Sequence, residues 1–498
     1  MNLSKTIYLN PDYHFKNDID RIVMYSHREV SQYSSPEWIS FIHPIQAAIL
    51  SIFTEERPLK ENIELLSKHF NIPDSKVQEL INPYIDNQEP FYTEFNSHKV
   101  YFPKHVLIEC SRLPENKPLY SDDKEDLKCK EVNLTPDRIH KAPQSMLFML
   151  TNKCITKCKY CYADKKTKCE ELGTDQILRI IDESKKLKMS YIDIIGGEIF
   201  LKKDWDIILK HLVDSNLMPS FISTKIPITR NIAQALYRTG YNNVVQISLD
   251  SLDNSKLKKI INCPSGYIEK MKVGIELLQE YGFDIFIDTI LTKYNSTCEE
   301  ILSMYEYIKT IKKLIHWEVR VPEKSIYTPA SFTEVKADKQ TLMKVCNFIK
   351  EEIIPNSEIK IIVSDNILYN RYQEGKCTDS FFDSGNCSVL QNKLFILPDG
   401  KVSICEQLYW HPQFIIGNLK EQSIEEVWQS EKAQSLLFLK KEYYREKSVC
   451  KSCKTFDFCT DNHRRCWTRI IKAYGEGNWD YPDPKCCHSP AFSSDMLY

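Results

Sequence analysis

Three cysteines fall within eight positions, CITKCKYC at residues 154 to 161. As thiolates, Cys154, Cys158 and Cys161 can reach three corners of an iron–sulfur cube from one short loop, and no neighbouring cysteine completes the set. One iron would then stay open, able to hold a small molecule and pass it an electron, whereas a fully capped cluster mainly shuttles charge. The competing reading is a zinc site with a distant fourth ligand, but zinc ribbons usually pair two C-x2-C knuckles. The polar start, MNLSKTIYLN, shows no export signal, so a cytoplasmic location is expected. In that reducing compartment 18 cysteines do not read as a disulfide framework, and metal ligation is expected for part of them. Isolated thiols such as Cys169, Cys298 and Cys346 read as small buried or surface residues.

The elements that must hold this loop lie on both sides of it. From residue 146 the runs MLFMLT, YIDIIGG, MPSFIST, NVVQISLD, FDIFIDTIL and LIHWEVR alternate with amphipathic stretches such as TDQILRIIDESKKL. Six such repeats predict an α/β fold, a parallel sheet curved into a partial (βα)6 barrel with its helices outside, over 146–345. Chemistry in parallel barrels gathers at the carboxyl ends of the strands, where CITKCKYC leaves the first one. Residues 346–498 are loop-rich and cysteine-dense. LFILPDGKVSIC reads there as a hairpin turned at Pro398-Asp399-Gly400, and bound metal is expected to supply order that the sparse apolar pattern does not.

Residues 1–100 form a separate module. Extended runs at IYLNPDYHF and RIVMYSH precede helical spacing in HPIQAAILSIF and in PLKENIELLSKHF, where Leu59, Ile63, Leu66 and Phe70 share a stripe. A third helix is expected from Ser75, capped by Ser75 and Gln78 and burying Val77, Leu80 and Ile81. The order suggests a winged-helix-like α+β unit. Its 9 basic and 14 acidic residues leave no basic footprint for nucleic acid, so peptide docking on a sheet edge is the better use. Residues 101–145, polar and punctuated by proline, read as a linker or bridging segment. The whole chain has a formal net charge of -2 and no apolar run long enough to span a bilayer, so neither nucleic acid nor membrane is expected as a partner.

The stretch TNKCITKCKYCYADKK resembles the loop of radical S-adenosylmethionine (SAM) enzymes, C-x3-C-x-aromatic-C, with Tyr160 as the aromatic. The resemblance implies that Cys154, Cys158 and Cys161 ligate a [4Fe–4S] cluster whose fourth iron binds SAM. Electron transfer would then yield a 5′-deoxyadenosyl radical. GGEIF at 196 to 200 resembles the family's Gly-Gly-Glu-Pro motif, with Gly196 and Gly197 admitting close approach, Glu198 facing the SAM ammonium, and Ile199 in place of proline. ISLDS at 247 to 251 resembles the segment that contacts SAM through Ser248, and Ser223 is a further candidate.

The spacing C387-x12-G400-x4-C405, then C450-x2-C453-x5-C459-x6-C466 and Cys486-Cys487, resembles the SPASM extension of peptide-modifying radical SAM enzymes. The usual ending is C-x2-C-x5-C-x3-C, so the gap before Cys466 is wider. The resemblance implies two auxiliary [4Fe–4S] clusters. Cys387, Cys405 and Cys466 would hold the first, with Cys377 able to complete it. Cys450, Cys453, Cys459 and one of Cys486 or Cys487, assigned as Cys486, would hold the second.

In such enzymes the front module resembles a RiPP recognition element, which takes a leader peptide as an added strand. The expected activity is therefore modification of a ribosomally made precursor peptide, an oxidation forming a cysteine thioether of the sactionine or ranthipeptide type, with flavodoxin or ferredoxin as electron donor. Carbon–carbon cross-linking, anaerobic sulfatase maturation and a non-catalytic iron–sulfur or zinc winged-helix regulator are the rivals. No acid or base is assigned: Asp164, Asp288, His316 and Arg320 lie near strand ends, where each is more often solvated or paired.

Overall fold

The computed structural model describes residues 2–28, 30–32, 34–113, 127–327, 329–369, 387–462 and 465–492. The chain divides into two compact units, Met1–Gln144 and Ser145–Tyr498.

In the first unit, strands β1 (Ile7–Leu9), β2 (Tyr13–Asn17), β3 (Ile22–Ser26) and β4 (Ile39–Ile42) precede helices α1 (Pro44–Ser51), α2 (Leu59–Phe70) and α3 (Asp74–Ile81). A hairpin of β5 (Phe91–Phe95) and β6 (His98–Phe102) follows, and β7 (Leu107–Glu109) returns antiparallel to β1. Strands β2, β3 and β4 form an antiparallel sheet. The stripe Leu59, Ile63 and Leu66 of α2 is buried with Phe15, Met24 and Phe53. Helix α3 starts one residue before the expected cap: Pro73 occupies the N-cap without a side-chain bond, and Leu80 points outward, 45% exposed.

Residues 101–145, expected as a linker or bridging segment, contribute apolar side chains to the first unit's packing in their described part. Leu127 and Leu134 enter the first unit's core, and Ile139 packs with Val23 and Tyr25. An ionic clasp fixes them. Fully buried Arg21 meets Asp18 at 3.0 Å and Asp137 at 3.3 Å, while His140 lies 2.9 Å from Asp20 and 3.1 Å from Asp137. Removing these charges from water is offset only by such mutual pairing, which ties the segment down.

The second unit holds the six strands read from sequence: β8 (Ser145–Thr151), β9 (Tyr191–Gly196), β10 (Phe221–Thr224), β11 (Val244–Ser248), β12 (Ile285–Ile290) and β13 (Leu314–Arg320). A seventh, β14 (Ile361–Ser364), pairs parallel with β13. Helices α4 (Thr174–Lys186), α5 (Trp205–Asp214), α6 (Arg230–Arg238), α7 (Asn254–Ile261), α8 (Tyr267–Glu280), α9 (Cys298–Ile308) and α10 (Lys339–Phe348) lie in the connections. They bury residues such as Ile177, Ile180 and Leu278 against the outward strand faces, Ile247 and Trp317 among them.

The strands form two five-stranded sheets, β10 to β14 in order and, with β15 (Lys393–Ile396), β16 (Lys401–Ser403) and β17 (Ile415–Asn418), β17-β16-β15-β8-β9. Between them β9 and β10 make no ladder among the described residues and are linked by side chains, Asp193 accepting the Ser220 amide at 2.8 Å. Strands β15 and β16 are the expected hairpin; β15 runs parallel to β8 and β17 closes the edge. Gly400, at the turn, has φ +85°, a conformation that an L side chain strains to adopt. No helix among the described residues is long and apolar enough to cross a membrane.

Candidate active site and cysteine centres

The cysteine loop leaves β8 at its carboxyl end and is held from both sides. The amides of Lys157 and Lys159 donate to the carbonyls of Ile261 and Ile260 at the end of α7, at 2.9 and 3.0 Å. Asn152 Nδ2 donates to the Asp164 carbonyl at 2.9 Å, drawing the loop's return toward its start. Inside it, Thr156 Oγ1 lies 3.2 Å from Cys154 Sγ and 3.3 Å from Cys158 Sγ, and the Cys161 amide donates to the Cys158 carbonyl at 3.2 Å. Burial pushes the Cys158 thiol up, with Lys225 opposing.

The Gly-Gly-Glu segment lies directly against this loop. Gly197 and Glu198 donate their amides to the carbonyls of Thr151 and Lys153 at 2.9 and 2.8 Å. A Cβ on Gly197 would sit 2.1 Å from the Lys153 carbonyl oxygen, and one on Gly196 2.8 Å from that of Thr151, so the approach requires glycine. Glu198 is buried, accepting from Thr224 Oγ1 at 3.0 Å and from the Lys225 amide at 3.1 Å; burial pushes its carboxyl up to about 7.

Lys225, which the sequence reading missed, joins these parts. Its backbone amide serves Glu198 while its ammonium binds Asp250 Oδ2 at 3.1 Å and also reaches the Tyr160 hydroxyl. Burial alone would lower the Lys225 pKa; Asp250, Cys158 and Tyr267 outweigh it and the net direction is upward. Asp250 thus faces the cysteine loop, and Asp253 caps α7, accepting from the Ser255 amide at 2.7 Å.

Ser223 and Ser248 occupy the ends of β10 and β11, half-buried, in register with Gln246 and Asp288 respectively. They stand apart from the Glu198–Lys225–Asp250 set, with no side-chain hydrogen bond to it among the described residues.

Further polar groups follow along the inner faces of β11 to β14. Gln246 Nε2 donates to Asp288 Oδ2 at 3.0 Å, and Arg320 lies 3.1 Å from Asp288 and 2.8 Å from Glu318, which accepts from Ser364 at 2.7 Å. Burial pushes the Asp288 carboxyl up to about 6, against the opposing pull of Arg320. Glu406 is likewise raised by burial and lowered by Arg320. His316 stacks on Phe286, with centroids 4.6 Å apart, and Asp164 is spent on its own turn, accepting from Lys166 and Thr167. Glu318, Glu406 and Gln246 carried no sequence signal, being ordinary polar residues until the barrel brings them together.

The remaining cysteines separate into two groups. Cys387, Cys405 and Cys466 line one cavity with Leu408, Leu437 and Trp467. Burial raises the Cys405 thiol to about 12, and Cys466 and Cys387 are near enough to add to it. In the second group burial raises Cys459 to about 12 and Cys486 to about 11, and each feels Cys450 and Cys453. Cys486, the member of the adjacent Cys486-Cys487 pair assigned as a ligand, is in this group. Cys377 lies outside the described residues.

A barrel that binds its first strand, its three-thiol loop and a Gly-Gly-Glu turn into one unit, followed by further groups of thiols, defines an iron–sulfur protein of the radical SAM class. Residues 148–308 match the radical SAM superfamily and residues 387–454 an iron-sulfur cluster-binding domain, SPASM. A probable GTP 3′,8-cyclase of Methanococcus vannielii is 31% identical over 244 residues, 45% of this chain and 78% of that protein. The chain belongs to the radical SAM superfamily. The PqqA peptide cyclase of Methylobacterium nodulans is 23% identical over 356 residues, 70% of this chain and 87% of that one. The match spans less than two thirds of the first curated relatives, 59% for a Methanococcus maripaludis cyclase. The crystal structure of Streptococcus suis SuiB bound to precursor peptide SuiA superposes with a TM-score of 0.61 at 14% identity, covering 97% of this chain and 100% of SuiB.

A radical SAM domain binds a [4Fe–4S] cluster and SAM, and a SPASM domain binds auxiliary iron–sulfur clusters. The residues fit those groups. Three thiols share one loop, a glycine pair admits backbone contact beside it, a buried carboxylate stands at the strand end, and three more thiols line a single cavity.

Proposed function

We propose that this protein modifies a ribosomally made precursor peptide, with Cys154, Cys158 and Cys161 holding the SAM-binding cluster. The bound group supplies one-electron cleavage of SAM and with it a radical that removes hydrogen from the peptide. Gly196, Gly197 and Glu198 bind the SAM amino acid moiety, Ser223 and Ser248 contact the rest of the molecule, and Tyr160 fixes the loop through Asp250.

The observation that carries this reading is the presence of two further thiol groups, Cys387, Cys405, Cys466 and Cys450, Cys453, Cys459, Cys486, in addition to the SAM-type loop. Two auxiliary clusters suit a net two-electron oxidation, in which hydrogen abstraction leaves one electron to be taken up. Thioether formation by a peptide cysteine is such an oxidation: a carbon–sulfur bond forms and two hydrogens leave, one as an atom and one as a proton, and an auxiliary cluster held by these cysteines would supply the acceptor for the remaining electron. The first unit, with its three-stranded antiparallel sheet, is the leader-docking module in this reading, and the SuiB structure of similar fold holds precursor peptide SuiA. An external flavodoxin- or ferredoxin-type donor supplies the starting electron.

Oxygen-free reaction with SAM, reductant and a cysteine-containing precursor encoded nearby tests it. Formation of 5′-deoxyadenosine with loss of two hydrogens per bond and of one free thiol supports thioether formation. The same mass loss with all thiols still alkylatable indicates carbon–carbon cross-linking, and an unchanged peptide counts against maturation.

A further inference from the structure

The wide gap between Cys459 and Cys466 carries Arg465, and this one side chain serves both auxiliary thiol groups. Arg465 Nη2 donates to Cys450 Sγ at 3.6 Å, while the residue also lines the cavity of Cys387, Cys405 and Cys466. Its guanidinium is held against two rings, 5.0 Å from the centroid of Tyr444 and 5.2 Å from that of Trp467. Nη1 reaches the Tyr481 carbonyl at 3.4 Å. Among the described residues no carboxylate pairs with it. A guanidinium stays charged at any working pH, and its planar fork can address two directions at once.

We propose that Arg465 is a positioning residue shared by the two auxiliary clusters, raising the reduction potential of both. A cluster that gains an electron gains negative charge, so a fixed cation beside it favours the reduced form, and a hydrogen bond to a ligating sulfur acts in the same sense. Arg465 falls within the expanded Cys459–Cys466 spacing and borders both thiol groups. This inference rests on both thiol groups being cluster ligands.

Redox titration of anaerobically reconstituted enzyme, followed by EPR, tests it. At the potential that half-reduces each auxiliary cluster in the wild type, R465Q is expected to show a reduced-to-oxidised ratio about tenfold lower at both. For a one-electron couple that is a shift of about 59 mV. R465K, which keeps the charge, stays within about threefold of wild type, and the SAM cluster does not move. Unchanged ratios at full iron content, or a change at one cluster alone, overturn the proposal.

Because R465Q could lose iron, a second measurement uses wild-type enzyme containing guanidino-15N arginine. Pulsed EPR of the reduced auxiliary clusters is expected to show 15N coupling that disappears in R465K, and absence of coupling at either cluster overturns it. Iron and sulfide sufficient only for the SAM cluster in the wild type would instead sink the cluster assignment itself.

Discussion

The Tyr160 hydroxyl donates to Asp250 Oδ2 at 2.5 Å, tying the aromatic between Cys158 and Cys161 to the turn that follows β11. The same oxygen takes the Lys225 ammonium, while Asp250 Oδ1 accepts from the Ile290 amide at 3.1 Å. Asp250 is thus the pin that fixes the cysteine loop across three strands. Replacing it with alanine strands the buried Lys225 charge and is expected to cost about 3–5 kcal/mol of stability, with loss of iron from the SAM cluster. Tyr160→Phe removes two hydrogen bonds, the one donated to Asp250 and the one accepted from Lys225, at about 1 kcal/mol each. Chemical denaturation of the apo protein measures both, and equal effects would show that Asp250 does not compensate Lys225.

Gly197 offers a steric test of the same junction. An alanine there must displace the Lys153 carbonyl immediately before Cys154, whereas Gly477 has open space around it. Gly197→Ala is expected to lower 5′-deoxyadenosine formation at least about tenfold, through a misplacement costing roughly 1–3 kcal/mol. Gly477→Ala should leave it unchanged. Comparable turnover in the two variants would remove the close approach from the argument.

What the sequence disclosed and what it hid divide along physical lines. Runs of β-branched residues such as NVVQIS are read directly because they alternate with helical spacing, and cysteine spacing is a direct record of what one loop can reach. Strand β14 was missed because its residues are all half-buried and no regular repeat follows it. Leu127 and Leu134 were missed because two apolar residues in a polar segment carry no period, yet the Arg21–Asp137 clasp places them. Lys225 sits in an unremarkable TKIP, and only the adjacency of β10 and β11 brings it to Asp250.

Glu198 makes stability depend on pH. Its unfolded carboxyl titrates near the ordinary value of about 4.3, and burial holds the folded group up to about 7. A raised folded pKa means that the folded state binds the proton more tightly. The contribution is therefore complete below the unfolded value and is lost as pH rises through about 7. The apo protein is expected to lose on the order of 3 kcal/mol from this group across that window. Glu198→Gln, which cannot ionise, should flatten the thermal midpoint over it, and a midpoint equally pH-dependent in both proteins would reject this assignment.

Arg320 stands between Asp288 and Glu318, and its removal leaves two carboxylates facing each other. At pH 5, below the value of about 6 to which burial raises Asp288, that carboxyl is largely protonated and the variant tolerates the loss. At pH 8 both groups are charged. Arg320→Ala is therefore expected to be destabilised more at pH 8 than at pH 5, by about 1–3 kcal/mol, measured by denaturant midpoints. A penalty independent of pH would show that Arg320 acts through packing alone.

The two groups of thiols must be separable by iron content. Alanine at Cys387, Cys405 and Cys466 empties the cavity they line, while alanine at Cys450, Cys453, Cys459 and Cys486 removes the other set. Each substitution is expected to lose about four irons and to leave the SAM cluster's EPR signal in place. Cys377 then distinguishes two forms of the first cluster. If it ligates, Cys377→Ala loses iron or changes that cluster's spectrum; if the site is open toward the peptide thiol, the spectrum changes only when a cysteine-containing precursor is added. Loss of all iron from either substitution set would mean that the groups are not independent centres.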